Sequence, residues 1–165
     1  MLLFLNATTE SFPNTSLILQ YDSDDQQLNK EHHVELDPSF VLNNELLHYT
    51  LLRRNNKDEN FHLHIPLVDW KDCIDKEVNL ISYPLSKSKR ISGGEFIGEQ
   101  GHELYYNTDS APGSAGGPVI YNNGVVAMHV GRKEITPGSE KPTKFGIKIA
   151  DILEDAGLPI NDFIT

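Results

Sequence analysis

The chain has 165 residues, a formal net charge of −10 and a hydrophobic fraction of 38%. A chain of this length forms one domain or two small lobes with a buried core, and the composition is typical of a soluble globular protein. The negative charge argues against nucleic acid or an anionic membrane as a partner, because phosphate groups are bound by clustered lysine and arginine. The basic run at residues 87–90 is interpreted as a solvated loop.

The single cysteine, Cys73, excludes a disulfide within the chain. A reducing, intracellular and therefore cytoplasmic setting is predicted. No apolar stretch approaches the roughly 18 residues that a membrane-spanning helix needs. The apolar residues 1–5 lack a basic segment before them and are too short for a signal peptide.

Short strands separated by turns are predicted along the first half of the chain. Residues 17–21 form the first candidate, and residues 33–36 form a second that Asp37-Pro38 is expected to break. Residues 46–53 are strongly apolar. Residues 62–68 alternate between apolar and polar, which indicates a half-buried strand. The polar residues between them, 55–60, are predicted to be a hairpin loop.

The second half of the chain predicts hairpins and one helix. Its candidate strands are residues 78–83, 95–100, 102–106, 118–121, 125–130 and 145–149. Gly101 is expected to turn one hairpin and Asn122-Asn123-Gly124 the next, since an Asn-Gly pair between apolar runs is a hairpin signal. Residues 149–156 indicate a short amphipathic helix that Gly157 stops. Many short strands at close spacing predict an all-β protein with an antiparallel barrel.

The most informative segment is residues 106–119, which contains Gly113-Ser114-Ala115-Gly116-Gly117-Pro118. It resembles the nucleophile loop of the trypsin-like serine proteases, which reads Gly-Asp/Ser/Asn-Ser-Gly-Gly/Ser-Pro. Gly113 and the trailing Gly-Gly-Pro set the register, and Ala115 therefore stands at the nucleophile position. An alanine methyl group cannot attack a carbonyl carbon.

Further blocks in the same order resemble the intracellular trypsin-like peptidases with glutamyl-endopeptidase-like C-terminal motifs. They are residues 35–41, 45–52, 78–84 and 126–131. The resemblance implies a chymotrypsin-like double β-barrel with a short C-terminal helix. Residues 1–72 would form an incomplete N-terminal barrel lobe, and residues 73–165 the C-terminal barrel lobe. A partner chain could supply the missing strands of the N-terminal barrel.

The resemblance also implies that all three positions of the catalytic triad are vacated. His48 stands where the family has its aspartate, and a histidine does not supply that fixed negative charge. Ala7 stands at the histidine position, and no histidine precedes His32. Together with Ala115, these residues predict a pseudoprotease.

Other groups were weighed as substitutes and interpreted as structural. The pair His32-His33 is expected on the surface, and Ser114 is the residue that precedes the family nucleophile, where a serine is common without any chemistry. Ser110 is a weaker candidate still. His62 and His64 share one strand face, which suits metal chelation, but no further ligand completes a site. No metal or other cofactor is predicted.

The backbone machinery of the family does not depend on the lost side chains. By resemblance, the main-chain amides of Gly113 and Ala115 form an oxyanion hole. His129 stands where glutamyl endopeptidases keep a histidine that faces an acidic substrate side chain, and Thr108 lies near a second wall of that pocket. Alternatively, His129 only packs beneath the loop.

Two functions follow as hypotheses. The first is a catalytically inactive protease homologue that binds a protein or peptide ligand, or regulates a partner. The second is a serine endopeptidase, with preference for an acidic residue, whose chain is inactivated or partial.

Overall fold

A computed structural model describes the backbone of residues 2–5, 16–19, 32–54, 66–133 and 143–159, and the side chains of residues 42–52, 66–133 and 143–159. Within these ranges the protein is mostly β-structure, with two 3₁₀ turns at Trp70–Cys73 and Pro84–Ser86 and one short C-terminal α-helix. The elements are β1 (Leu2–Leu5), β2 (Ser16–Leu19), β3 (His32–Asn44), β4 (Tyr49–Arg54), β5 (Glu77–Ser82), β6 (Arg90–Gln100), β7 (Glu103–Tyr106), β8 (Pro118–Tyr121), β9 (Gly124–Lys133), β10 (Thr143–Lys148) and α1 (Ile149–Asp155).

The first four strands form an antiparallel sheet in the order β1-β4-β3-β2. The strand predicted at 17–21 is confirmed for residues 17–19, which belong to β2, and residues 20–21 lie outside the described residues. The predicted break at Asp37-Pro38 is wrong, because β3 runs through it. The pairing of β3 with β4 shifts register between Asp37 and Val41, and this irregularity accommodates the proline, which cannot donate to a regular ladder.

Two predictions around β4 are corrected in part. The apolar segment 46–53 is not one strand, because its start belongs to the turn between β3 and β4, where His48 has a φ of 52°. In the predicted strand 62–68, only residues 66–68 are described. They are a loop that makes a single parallel bridge, between Leu67 and Val125. The loop predicted at 55–60 lies outside the described residues.

The remaining strands close into a six-stranded antiparallel barrel in the order β10-β7-β6-β5-β8-β9. The predicted strands from residue 78 onward are confirmed, although β6 begins earlier than expected, at Arg90. Both predicted hairpins are confirmed. Asn122 and Asn123 have φ values of 47° and 64°, as a type I′ turn requires.

The predicted C-terminal helix is confirmed as α1, with Ile152 and Leu153 buried. Hydrogen bonds from Gly157 N to Glu154 O and from Leu158 N to Leu153 O close its end, where Gly157 has a φ of 67°. No helix within the described ranges is long and apolar enough to cross a membrane.

The hydrophobic core continues from the sheet into the barrel. One buried cluster combines residues of the sheet and its turn with residues of β9, β10 and α1: Leu47, Tyr49, Leu51, Val125, Met128, Ile147, Ile149 and Ile152. A second cluster fills the barrel interior and includes Leu80, Leu104, Tyr106 and Val119. The division of the chain at residues 72 and 73 stays a prediction.

Candidate functional site

The loop that contains Ala115 connects β7 to β8 and is held against β9 by backbone hydrogen bonds. Gly116 N donates to His129 O and His129 N donates to Gly117 O, each at 2.8 Å. Leu85 N, from the β5–β6 connection, donates to Pro112 O at 2.7 Å. The loop is therefore fixed at both ends to the barrel wall.

Glycine is needed in this loop for space as well as for conformation. Gly116 has a φ of 83°, a region that residues with a Cβ seldom adopt. A Cβ on Gly117 would lie 2.4 Å from Ile81 O and 3.0 Å from Ser114 O. Glycine is therefore required at both positions of the pair that sets the motif register, by backbone conformation at Gly116 and by lack of space for a Cβ at Gly117.

The amides of Gly113 and Ala115 are among those of the loop that have no acceptor in the described part of the chain. Ser114 N donates to Ala111 O at 3.0 Å, and Gly117 N donates to Ser114 O at 3.1 Å. Among the described residues, nothing accepts from Gly113 N or Ala115 N, and both residues are exposed. These are the two amides that the sequence predicts as oxyanion-hole donors.

Ser114 is buried, with 1% of its surface exposed. Its Oγ accepts from Ser82 Oγ and from Ala111 N, each at 3.2 Å. The Ser114 hydroxyl therefore stabilises the loop from its buried side. Ala115, the next residue, is exposed. Ser110 is half-buried.

His129 lies in β9 beneath this loop and is buried. Its Nδ1 lies 2.7 Å from the hydroxyl of Tyr106, which is also fully buried. Burial, helped by the charge of Lys144, lowers the pKa of His129 to about 4, and burial raises the pKa of Tyr106 well above 10. Both side chains are therefore neutral at neutral pH, and only Nε2 of His129 remains for a further hydrogen bond.

Thr108 follows β7 and has the same inward orientation as Tyr106. Both are 1% exposed, and the exposed Asn107 separates them. In the described part of the chain, no group forms a hydrogen bond with Thr108 Oγ1. A buried hydroxyl without a partner is uncommon, because its desolvation costs about 1–3 kcal/mol.

His48 is exposed and lies beside β10. Its ring contacts Phe145 edge-on, with centroids 6.3 Å apart, and Phe145 pairs with Gly131. The Ala115 loop thus contacts β9, whereas the described contact of His48 is with β10. Ala7 lies outside the described residues, as do His62 and His64, so the proposed triad positions remain a prediction.

A groove of about 610 Å³ lies on the barrel between the start of β5 and the middle of β6, and not at the Ala115 loop. Asp75, Glu77 and Glu95 line it, and none of the predicted site residues does. In the ranges given above, no cluster of three or more His, Cys, Asp or Glu side chains is arranged to hold a metal ion.

Sequence reasoning missed Tyr106 and Ser82, which support His129 and Ser114. Both were placed correctly on strands, but their partners are distant in sequence, by 23 residues for Tyr106 and 32 for Ser82. Each of the two residues stands at the C-terminal end of a strand, and nothing else in the neighbouring sequence indicates its distant partner.

Neither a protein-family model nor a curated protein matches the sequence. Solved structures do match the fold. A serine endoprotease from Yersinia pestis is 16% identical with a TM-score of 0.57, and the match covers 79% of this chain and 45% of that one. The HtrA-type protease AlgW, solved with a decapeptide, is also 16% identical, with a TM-score of 0.54 over 81% of this chain and 42% of its own.

The chain therefore spans less than half the length of these two proteases. At this identity the likeness concerns the fold alone. Together with the closed barrel and the second sheet, it establishes that this chain has the chymotrypsin-like fold of the trypsin-like and HtrA-type serine proteases.

Proposed function

We propose that this chain is a catalytically inactive chymotrypsin-fold domain that binds a protein or peptide segment. The observation that carries the proposal is the loop with Ala115 at the nucleophile position, in which the exposed amides of Gly113 and Ala115 have no acceptor among the described residues. Main-chain donors of this kind do not depend on the side chain at position 115.

Exposed amides that have no acceptor within the protein are available to donate to an acceptor oxygen of a ligand in place of water. A carbonyl or carboxylate oxygen of a peptide is the natural acceptor in this fold. Without a hydroxyl at position 115, a bound acyl group meets no nucleophile from this loop. The ligand is thus held and released intact.

Two buried polar groups support an acidic or small polar ligand side chain. Tyr106 occupies Nδ1 of His129, which leaves Nε2 for the ligand, and Thr108 Oγ1 is a second polar atom that has no partner within the described residues. Since His129 is neutral, it would recognise a carboxylate through a hydrogen bond and not through an ion pair. The net charge of −10 is the reason to propose a peptide and neither nucleic acid nor an anionic membrane.

A serine endopeptidase with acidic specificity is the alternative, in which this chain is an inactivated or partial form. This alternative is retained because the chain covers less than half of each protease that it resembles in fold. The alternative differs from the proposal in one respect, which is that turnover returns once the missing groups are supplied.

Calorimetry with three short peptides that differ at one position, as Glu, Gln or Lys, tests the binding proposal. We expect the Glu peptide to bind best, and His129→Gln to weaken it by at least about tenfold, a loss of about 1.4 kcal/mol. His102→Gln is the matched control, because that histidine is exposed and pairs with Asp151. Equal affinity of wild type and His129→Gln would remove His129 from the site, and cleavage of the peptide by wild type, seen by mass spectrometry, would refute inactivity.

A further inference from the structure

Two cations are directly opposed across β9 and β10. Lys144 of β10 pairs with Arg132 of β9, and on its other side with Tyr106 of β7. Residues that are directly opposed in an antiparallel pair lie on the same face of the sheet. Tyr106, Lys144 and Arg132 therefore form one row across three strands, with both cations on the face of the buried tyrosine.

The contacts of the next residue along β9 agree with this assignment of faces. Lys133 Nζ lies 5.7 Å from the centre of the Phe145 ring and 2.9 Å from Glu103 Oε2. Successive side chains of a strand point to opposite faces. Because Lys133 lies on the face of Phe145, its neighbour Arg132 points to the other face, and so does Lys144, the neighbour of Phe145.

The face that carries the two cations also carries His129. The next row across the same three strands consists of Leu104, Gly146 and His129. The hydroxyl of Tyr106 lies 2.7 Å from His129 Nδ1, which joins the two rows. The charge of Lys144 reaches the histidine as well, since it lowers the pKa of His129. The cations therefore belong to the surroundings of the proposed peptide site.

Neither cation is neutralised by the described part of the protein. No acidic side chain there forms an ion pair with Lys144 or Arg132, whereas the adjacent Lys133 is paired with Glu103. Like charges that are directly opposed across two strands destabilise a sheet. An anion bound beside Lys144 and Arg132 would offset this repulsion.

We propose that Lys144 and Arg132 determine the specificity of the peptide site, and that they select a ligand side chain with a carboxylate over its amide counterpart. The inference rests on the proposed function. A neutral histidine forms a hydrogen bond with an oxygen of either group, and so distinguishes them only weakly. A carboxylate that leaves water needs an opposite charge nearby, and the two cations supply it.

The net charge of −10 does not oppose such a ligand. Salt screens exposed charges that lie more than about 10 Å away, so a single carboxylate responds mainly to the charges next to it. Those next to His129 on this face are Lys144 and Arg132. Nucleic acids and anionic membranes differ, because their many phosphates extend over the rest of the acidic surface.

Calorimetry with the Glu and Gln peptides tests the inference on wild type and on the double variant R132Q/K144Q. We expect wild type to bind the Glu peptide at least about tenfold more tightly than the Gln peptide, and rising salt to reduce this preference. The double variant should lose the preference by weakening the Glu peptide alone, whereas His129→Gln should weaken both peptides. Lys133→Gln is the matched control and should keep the preference, because that lysine lies on the other face.

The outcomes separate this inference from the proposed function. A double variant that keeps the wild-type preference, or that weakens both peptides equally, overturns the role of the cations and leaves the peptide site in place. Wild type that binds neither peptide overturns both proposals. The charge-reversed variant R132E/K144E is a second test, because it should bind the Lys peptide more tightly than the Glu peptide, and absence of this reversal counts against the inference. Thermal unfolding checks that each variant is folded.

Discussion

At the scale of single residues, the candidate site is a set of polar groups whose partners are unusually well defined. Ser114 turns its hydroxyl inward to Ser82, and His129 holds the hydroxyl of Tyr106. Ala115 and Gly113 keep their amides unpaired. The loop that we propose to lack a nucleophile therefore keeps its backbone hydrogen bonds and its buried supporting side chains.

His129 provides a test of this description through pH. The histidine has a pKa of about 4 in the folded protein and about 6.5 when exposed, so the unfolded chain binds a proton that the folded chain does not between these values. Stability should therefore fall as the pH falls from 6.5 towards 4, by about 3 kcal/mol from this one group.

Urea unfolding at about pH 7.5 and about pH 5 measures the effect as a difference between variants. His129→Gln should lose less stability than wild type between the two pH values. Parallel pH dependence of His129→Gln and wild type would mean that His129 is not buried in a neutral state.

At the scale of elements, the Ala115 loop depends on its close approach to three backbone segments, which are β5, the β5–β6 connection and β9. Local turn signals predicted the hairpins correctly, because Gly101, Asn122 and Asn123 decide those turns within a few residues. The start of β6 was missed, because Gly93-Gly94 is a poor strand signal. Gly94 is required there, since a Cβ would lie 2.5 Å from Thr108 N, a contact that the local sequence does not reveal.

Gly117→Ala tests the close approach. Its Cβ would meet two backbone oxygens that cannot move independently, so we expect a loss of about 1–3 kcal/mol of unfolding free energy. Gly98→Ala in β6 is the matched control, because a Cβ there meets nothing within 4 Å, and its effect should stay within about 1 kcal/mol. Equal effects in chemical unfolding would show that the loop does not pack against β5 as described.

At the scale of the whole molecule, the sheet, the barrel and the terminal helix share one core and a polar link. Tyr49 OH and Asn44 Nδ2 donate to Asp155 Oδ2 at 2.6 Å and 2.8 Å. Burial raises the pKa of Tyr49 to about 12, and these hydrogen bonds lower that of Asp155. The all-β class and the barrel were predictable from strand spacing. The link was not, because it joins residues 106 positions apart.

A double-mutant cycle with Tyr49→Phe and Asp155→Ala measures this link. Tyr49→Phe should cost about 1 kcal/mol, and the two changes together should cost less than their sum, because the second removes a bond that the first has already lost. Tyr121→Phe, in β8, is the control and should change stability by less than about 0.5 kcal/mol. Strict additivity in the cycle would mean that helix and sheet are not joined through Asp155.

Labelling with a fluorophosphonate probe tests the central claim, which is that this chain has the protease fold without its chemistry. The variants are Ala115→Ser alone, Ala115→Ser with His48→Asp, and the triple variant that adds Ala7→His. Restoring the hydroxyl alone should give no labelling, because an unactivated serine is a weak nucleophile. Rapid labelling of Ala115→Ser alone, abolished by heat denaturation, would show that the remaining machinery is intact and would contradict the claim.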